Sequence, residues 1–281
     1  MDNLILNNGK KIPNIMLGSF QMDDPKIMDE IVETAVENGV YGFDTSPSYK
    51  TEGMLSDSIK KVIKEGKATR EDFFVDTKID SWQMIEKKGQ IRPFVEFALK
   101  KTGLEYWDML LIHWPQPEYL TKTWLAMEKL YEEGLVKNIG VCNFSVRHFN
   151  ELEKAGAHIV PMVVQNEIHP LNTEPELVEY CKKNNIVIQA YSPLCRMIPM
   201  MKNNALINIL AEKYGVSVAQ IILRWHVEMG FVPIVKTSSS KRVIENTDVF
   251  SFALSKEDKD AISSLDQHFK IFLESRCCPG Y

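Results

Sequence analysis

The 281-residue chain lacks what several specialised surfaces require. Lys and Arg number 33 against 38 Asp and Glu, a formal charge of −5. Without a basic excess a face that tracks a phosphate backbone is not expected, so no nucleic-acid partner is predicted. No stretch approaches eighteen consecutive apolar residues, which leaves nothing to span a bilayer and predicts no membrane partner. Met1-Asp2-Asn3-Leu4 shows no basic region leading into an apolar one, so no secretory signal is expected. Cysteine is scarce. The five residues are spread apart except for adjacent Cys277 and Cys278, a usage that reads as free thiols of a reducing compartment and predicts a cytoplasmic protein. The six His are scattered with no H-E-x-x-H, which disfavours a metal-dependent hydrolase, and no metal is expected. G-x-G-x-x-G and G-x-x-x-x-G-K-[ST] are both missing, so neither a Rossmann fingerprint nor a P-loop is available.

What is present is a regular alternation. Leu4-Ile5-Leu6 and Lys11-Ile12-Pro13 flank Asn7-Asn8-Gly9, a hairpin signal. Eight short apolar strands follow, at 15–18, 41–44, 73–77, 108–112, 136–141, 162–165, 186–189 and 231–235, each leading to a helix. Helix starts are marked by Asp24-Pro25, about Thr51, Arg92-Pro93, Ser145, a capping box Thr173…Glu176 with Pro175 in the first turn, Ser217…Gln220 and Ser255…Asp258. Trp124, Leu125 and Leu130 mark another helix closed by Gly134, and helices are also expected over 203–213 and near 241–246. Continuous apolar strands alternating with amphipathic helices predict a parallel sheet covered by helices. Eight units in this length fit a closed (β/α)8 TIM barrel. With 44% hydrophobic residues and no linker or composition break, one domain over residues 1–281 is expected.

In such a barrel reacting groups gather where strands end. Those positions hold Gly18-Ser19-Phe20, Asp44, Lys78, His113-Trp114, Cys142-Asn143, Gln165-Asn166, Tyr191-Ser192 and Lys236-Thr237. Asp44 alone reads equally as a loop acid bonding its own backbone, and Tyr49 as a packing residue. Lys78, following an apolar strand, changes the balance, because a buried unpaired ammonium is unfavourable by several kcal/mol. Asp44, on the neighbouring strand, is its candidate partner. A free phenol, with a pKa of about 10, is a poor proton donor near neutral pH. A cation about 4 Å away contributes roughly 4 kcal/mol at an effective dielectric of about 20, or about three pKa units, so Lys78 is expected to bring Tyr49 towards working pH. A neutral imidazole at His113 would orient a carbonyl oxygen towards the Tyr49 hydroxyl. This set protonates a carbonyl oxygen while a cofactor delivers hydride, since no side chain does. The loop 234–242, Ile-Val-Lys-Thr-Ser-Ser-Ser-Lys-Arg, follows the last strand and reads as a phosphate site or equally as a solvated loop.

These residues resemble an aldo-keto reductase over essentially the whole chain. Gly42-Phe43-Asp44-Thr45…Tyr49…Glu52, the run 104–115 (Leu-Glu-Tyr-Trp-Asp-Met-Leu-Leu-Ile-His-Trp-Pro) and the run 234–246 match three ordered family signatures. The hairpin and short tail resemble the prokaryotic 2,5-diketo-gluconate reductase-like branch. The resemblance implies a catalytic tetrad of Asp44, Tyr49, Lys78 and His113, and an NADP(H) site. Asn143 and Gln165 would hold the carboxamide, Tyr191 would stack on the nicotinamide, and Ser192 and Leu194 would follow the pyrophosphate. Lys236, Thr237, Ser238 and Arg242 would surround the 2′-phosphate, with Glu245 and Asn246 near adenine. Gly18, Ser19, Phe20, Asp44 and Cys142 complete the expected cofactor set. Two cations and two hydroxyls at the 2′-phosphate favour NADP over NAD.

The chain departs from the family pattern at four places. Cys142 replaces the usual Ser and, as a weaker donor, is expected to weaken one carboxamide contact. Thr51 replaces the usual Asn, and Gly39-Val40-Tyr41 lacks the usual Arg; both are expected to affect loop packing. Phe20 replaces a common Trp and should open the pocket. The expected substrate wall comprises Phe20, Tyr49, Trp82, His113, Trp114 and the tail near 277–281. The implied activity is NADPH-dependent reduction of aldehydes, ketones or keto-sugars by a monomer whose partner is a small carbonyl substrate. The alternative is a nucleotide-binding regulatory or sensor module with little turnover.

Overall fold

A computed structural model describes residues 3–273. The expected hairpin forms from β1 (Leu4–Ile5) and β2 (Lys11–Ile12), antiparallel with Leu4 opposite Ile12. Gly9 supplies the turn at φ 82°, a conformation that glycine adopts without steric cost. Asn8 Nδ2 donates to Asn138 Oδ1 at 2.8 Å and Asn7 Nδ2 to the Pro161 carbonyl at 3.2 Å. Both partners lie just before barrel strands, so the hairpin covers the strands' N-terminal end.

The eight expected strands close into a barrel. They are β3 (Met16–Gly18), β4 (Gly42–Asp44), β5 (Phe74–Ile79), β6 (Met109–Ile112), β7 (Ile139–Cys142), β8 (Val163–Glu167), β9 (Val187–Tyr191) and β10 (Phe231–Val235). All neighbours run parallel, and β10 pairs with β3 to complete the ring. Outside it lie α1 (Pro25–Glu37), α2 (Glu52–Lys64), α3 (Ser81–Glu86), α4 (Arg92–Thr102), α5 (Leu120–Glu132), α6 (Val146–Lys154) and α7 (Pro175–Lys183). The ring continues with α8 (Pro199–Lys202), α9 (Ala205–Tyr214), α10 (Val218–Glu228), α11 (Ser240–Thr247) and α12 (Lys256–Ser263). The strands are buried on both faces, as a parallel sheet covered by helices must be, and their Val, Ile and Leu side chains merge with the inner helix faces into one core.

Pairing register decides which polar groups point inward. Asp44 lies opposite Asp76, and Gln165 opposite Gln189, and residues opposite one another share a face. Because alternate residues share a face, Lys78 joins Asp76 inside. The barrel interior therefore holds Asp44, Asp76, Lys78, Gln165 and Gln189, all at or below 4% exposure.

Three features depart from the sequence expectations. Lys78 stands within β5 rather than after it. The short helix α3, entered at Asp80, precedes the helix expected at Arg92. The Thr173…Glu176 capping box does not form: Glu174 is the N-cap at φ 50°, and the Thr173 hydroxyl donates to Asp266 Oδ2 at 2.7 Å instead. The Thr173 backbone N–H, which the box would give to Glu176, also goes to Asp266, to Oδ1 at 3.4 Å.

Candidate active site

Asp44 ends β4, and the next segment, Pro47–Tyr49, is one 3-10 turn closed by Lys50 in the left-handed region at φ 61°. Lys78 Nζ lies 2.5 Å from Asp44 Oδ2 and donates to the Thr45 carbonyl at 3.0 Å. Burial is the largest single influence and disfavours this ammonium, but the Asp44 charge and hydrogen bond, with smaller contributions from Tyr49 and Cys142, together outweigh it and hold Lys78 above the ordinary lysine value. Nζ also stands 4.8 Å from the centre of the Tyr49 ring. Phe20 meets that ring edge-on at 5.0 Å and His113 at 5.7 Å.

The expectation that Lys78 lowers Tyr49 towards working pH is corrected. Burial is the largest influence and raises the phenol above its ordinary value, Asp44 adds to the rise, and the Lys78 cation only partly offsets them. Tyr49 is a protonated phenol throughout the neutral range.

His113 follows β6, and its Nδ1 lies 2.5 Å from Asp80 Oδ1. The same carboxylate accepts from Ser46 Oγ at 3.1 Å, Ser48 Oγ at 2.9 Å and the Ser48 backbone N–H at 2.9 Å. Burial raises Asp80, but the bonds from His113, Ser48 and Ser46 and the attraction of a charged imidazole outweigh it and hold the acid below the usual range. An acid at a strand end followed by Ser81 reads as a helix cap. Asp80 is one, its N–H donating to Gln83 Oε1 at 2.9 Å, and it was not among the expected site residues.

A cleft of about 990 Å³ opens beside Tyr49. Gly18, Phe20, Asp44, Tyr49, His113, Trp114, Asn143, Gln165, Tyr191, Ser192, Leu194, Lys236, Thr237, Arg242, Glu245 and Asn246 line it. Asn143, at φ 59°, donates Nδ2 to the His113 carbonyl at 2.8 Å and accepts the Tyr191 hydroxyl at 2.8 Å. Gln165 donates Nε2 to Asp44 Oδ2 at 2.9 Å and Gln189 Oε1 at 3.0 Å. Lys236 and Arg242 have no ion-pair partner among the described residues. Two uncompensated cations at one end and oriented amides at the other suit an anionic nucleotide that carries a carboxamide.

Five expected residues stand off this cleft. Lys78 lies behind Tyr49. Ser19 Oγ donates to the Asp44 carbonyl at 2.9 Å and meets Thr51 Oγ1 at 2.8 Å, so it braces the loop from behind. Thr51 also meets Thr45 Oγ1 at 2.9 Å, the packing role expected of it. Cys142 lies opposite Gln165 in the barrel interior, 1% exposed. Ser238 is exposed on the turn before α11. Trp82 is corrected as a wall residue: α3 turns it outward, half exposed, against Phe94 at 5.3 Å. The tail near 277–281 lies outside the described residues.

The sequence reading missed one wall. Arg196, Met197, Lys202 and Phe272 line the cleft. Phe272 meets Tyr191 edge-on at 5.8 Å and lies under the Arg196 guanidinium at 4.9 Å. It is placed by the buried Glu167, whose carboxylate accepts the Ile271 N–H at 2.7 Å and the Phe272 N–H at 2.9 Å. No local pattern couples residue 167 to residue 272. Only the folded barrel does.

The family model that describes the aldo/keto reductase family matches residues 14–267. A glyoxal reductase of Bacillus subtilis is 39% identical over 270 residues, covering 96% of this chain and 95% of that protein. The methylglyoxal reductase DkgA of Escherichia coli K12 is 34% identical over 265 residues, covering 93% and 92%. Among solved structures, an aldo-keto reductase of Bombyx mori in complex with NADP superimposes with a TM-score of 0.89 at 30% identity, covering 98% and 96%. One from a deep-sea metagenome library gives 0.88 at 37%, covering 97% of each.

Proposed function

This chain belongs to the aldo/keto reductase family, and from that premise we propose that its cleft reduces small aldehydes and dicarbonyl compounds with Tyr49 as the proton donor. The protein is an NADP(H)-dependent oxidoreductase that reduces carbonyl groups. NADPH, when bound, supplies the hydride. Asn143 and Gln165 would hold the carboxamide, Tyr191 would give the ring a flat face, Ser192 and Leu194 would follow the pyrophosphate, and Lys236, Thr237 and Arg242 would take the 2′-phosphate.

The observation that carries the assignment of roles is the Asp44–Lys78 contact at 2.5 Å, with Nζ 4.8 Å from the Tyr49 ring centre. A phenol above its ordinary value is still a useful acid for this reaction. The oxygen it protonates approaches an alkoxide, whose basicity is comparable to hydroxide (water has a pKa of about 15.7), so the transfer runs downhill. The phenolate left behind lies against Lys78, which Asp44 keeps charged and in place. His113 faces the same oxygen. The glyoxal and methylglyoxal reductases among the relatives, and an aromatic mouth of Phe20, Trp114 and Phe272, favour short dicarbonyl substrates over keto-sugars. Nothing favours a sensor module.

Tyr49→Phe tests the roles. With methylglyoxal and a panel of aldehydes, kcat should fall by about 10²–10⁴-fold, the usual share of a general acid, while NADPH binding is kept. Unchanged kcat would remove Tyr49 as the acid.

A further inference from the structure

Asp80 has features that a helix cap does not need. It is 4% exposed, and its two oxygens meet the Ser46 and Ser48 hydroxyls, the Ser48 N–H and His113 Nδ1, all within 3.1 Å. Four groups able to donate, gathered on one buried carboxyl, make a site for the ionised acceptor-only form. An ionised carboxylate 2.5 Å from a ring nitrogen requires the proton to be on that nitrogen. A neutral imidazole has one N–H, so with Nδ1 protonated its Nε2 is a bare lone pair.

We propose that Asp80 is a positioning residue that fixes the Nδ1–H form of His113, so that His113 donates a hydrogen bond to the carbonyl oxygen only as an imidazolium, from Nε2. This deepens the reductase reading and rests on it. It replaces the sequence expectation of a neutral imidazole, because a neutral Nδ1–H ring would present lone pair to lone pair at the substrate oxygen. The His113 proton stays on Nε2 throughout, and Tyr49 supplies the proton that the product keeps.

The charges around the ring agree with this. From the β5–α3 junction it faces Asp80. From the turn after β4 it faces the neutral Tyr49 phenol at 5.7 Å together with Ser46 and Ser48. The Lys78 ammonium beyond Tyr49 is balanced by Asp44. Asn143 donates to the His113 backbone carbonyl. Arg196 and Lys202 line the same cleft. The anion in direct contact with the ring is Asp80.

Nitrogen-15 NMR of histidine-labelled enzyme with NADP⁺ bound reads the ring directly, alongside kcat/KM for carbonyl reduction against pH. In the unmodified enzyme Nδ1 should be protonated at every pH studied, with Nε2 alone titrating, and kcat/KM should fall tenfold per pH unit along that titration. Asp80→Asn keeps an acceptor for Nδ1–H but removes the charge, so the falling limb should move to lower pH. Asp80→Leu removes the acceptor, and the limb should vanish as the neutral Nε2–H form becomes available. A bare Nδ1 in the unmodified enzyme, or the same limb in that enzyme and in Asp80→Asn, overturns the proposal. The NMR and Asp80→Asn arms stand even where Asp80→Leu fails to fold. Activity surviving in Tyr49→Phe would refute the general-acid role without changing the nitrogen spectrum, so the two failures are distinguishable.

Discussion

At Gln165 the two ends of one amide have different partners. Nε2 is shared between Asp44 Oδ2 and Gln189 Oε1, which leaves Oε1 to accept from the cleft. Gln189 is committed in turn, its Nε2 donating to Asp76 Oδ2 at 2.6 Å. Turning either amide over would break a buried bond, so the acceptor is held in place before any ligand arrives. Gln165→Leu should therefore raise the NADPH dissociation constant by about 5–30-fold, the equivalent of one or two buried hydrogen bonds. Fluorescence titration checks this, and an unchanged constant would take Gln165 out of the contact. Tyr49 carries a prediction of the opposite kind. Alcohol oxidation needs the phenolate, and the phenol lies above its ordinary value. With His113 held as the imidazolium donor, the kcat/KM for oxidation should climb tenfold per pH unit below the titration that limits reduction and level off above it, and a rate that is flat or falling below that titration would contradict the assignment.

The strap after α12 shows what an element contributes when its anchor is distant in sequence. Gln267 and Phe269 donate backbone N–H groups to the Leu171 carbonyl, and Glu167 holds the next two amides. Bonds to a charged acceptor are worth about 1.5–3 kcal/mol. Glu167→Gln should speed hydrogen exchange at Ile271 and Phe272 by about 10–150-fold, because a strap opens locally without unfolding the barrel. Unaltered exchange would show that Phe272 is held by its ring contacts alone. Elements of this kind mark the limit of what the sequence makes legible. Local chemistry was readable: Asp24, Ser145, Ser217 and Ser255 cap the expected helices. Lys78 was legible as well, since an ammonium beside an apolar strand demands a carboxylate. Thr173 misled because Asp266, 93 residues away, takes its hydroxyl. Trp82 misled because α3 was not recognised, and Asp80 was missed because the strand was expected to end at Thr77, whereas β5 runs to Ile79 and makes Asp80 the residue at its end.

The whole barrel closes around one ammonium and two carboxylates. Lys78 pairs with Asp44, and Asp76, on the same inward face, is left with a Gln189 contact and an Oδ1 without any hydrogen-bond partner. Burial raises Asp76 well above the ordinary value, and the neighbouring Asp44 charge raises it further. An unfolded Asp loses its proton near pH 3.9, so above that value the folded barrel holds a proton that the unfolded chain has lost. Where the folded state binds more protons, stability falls as pH rises, by about 1.4 kcal/mol for each unit separating the two pKa values. The loss begins at the unfolded value and ends only where folded Asp76 finally ionises. Asp76→Asn replaces the acid with a neutral group of the same shape and removes this dependence. Its melting temperature relative to the unmodified enzyme should therefore rise steadily as pH is taken from about 5 to about 8, other titrations cancelling in the difference. A difference that stays flat across that window would mean that Asp76 is ionised in the fold, and that the barrel interior supports two negative charges on one lysine.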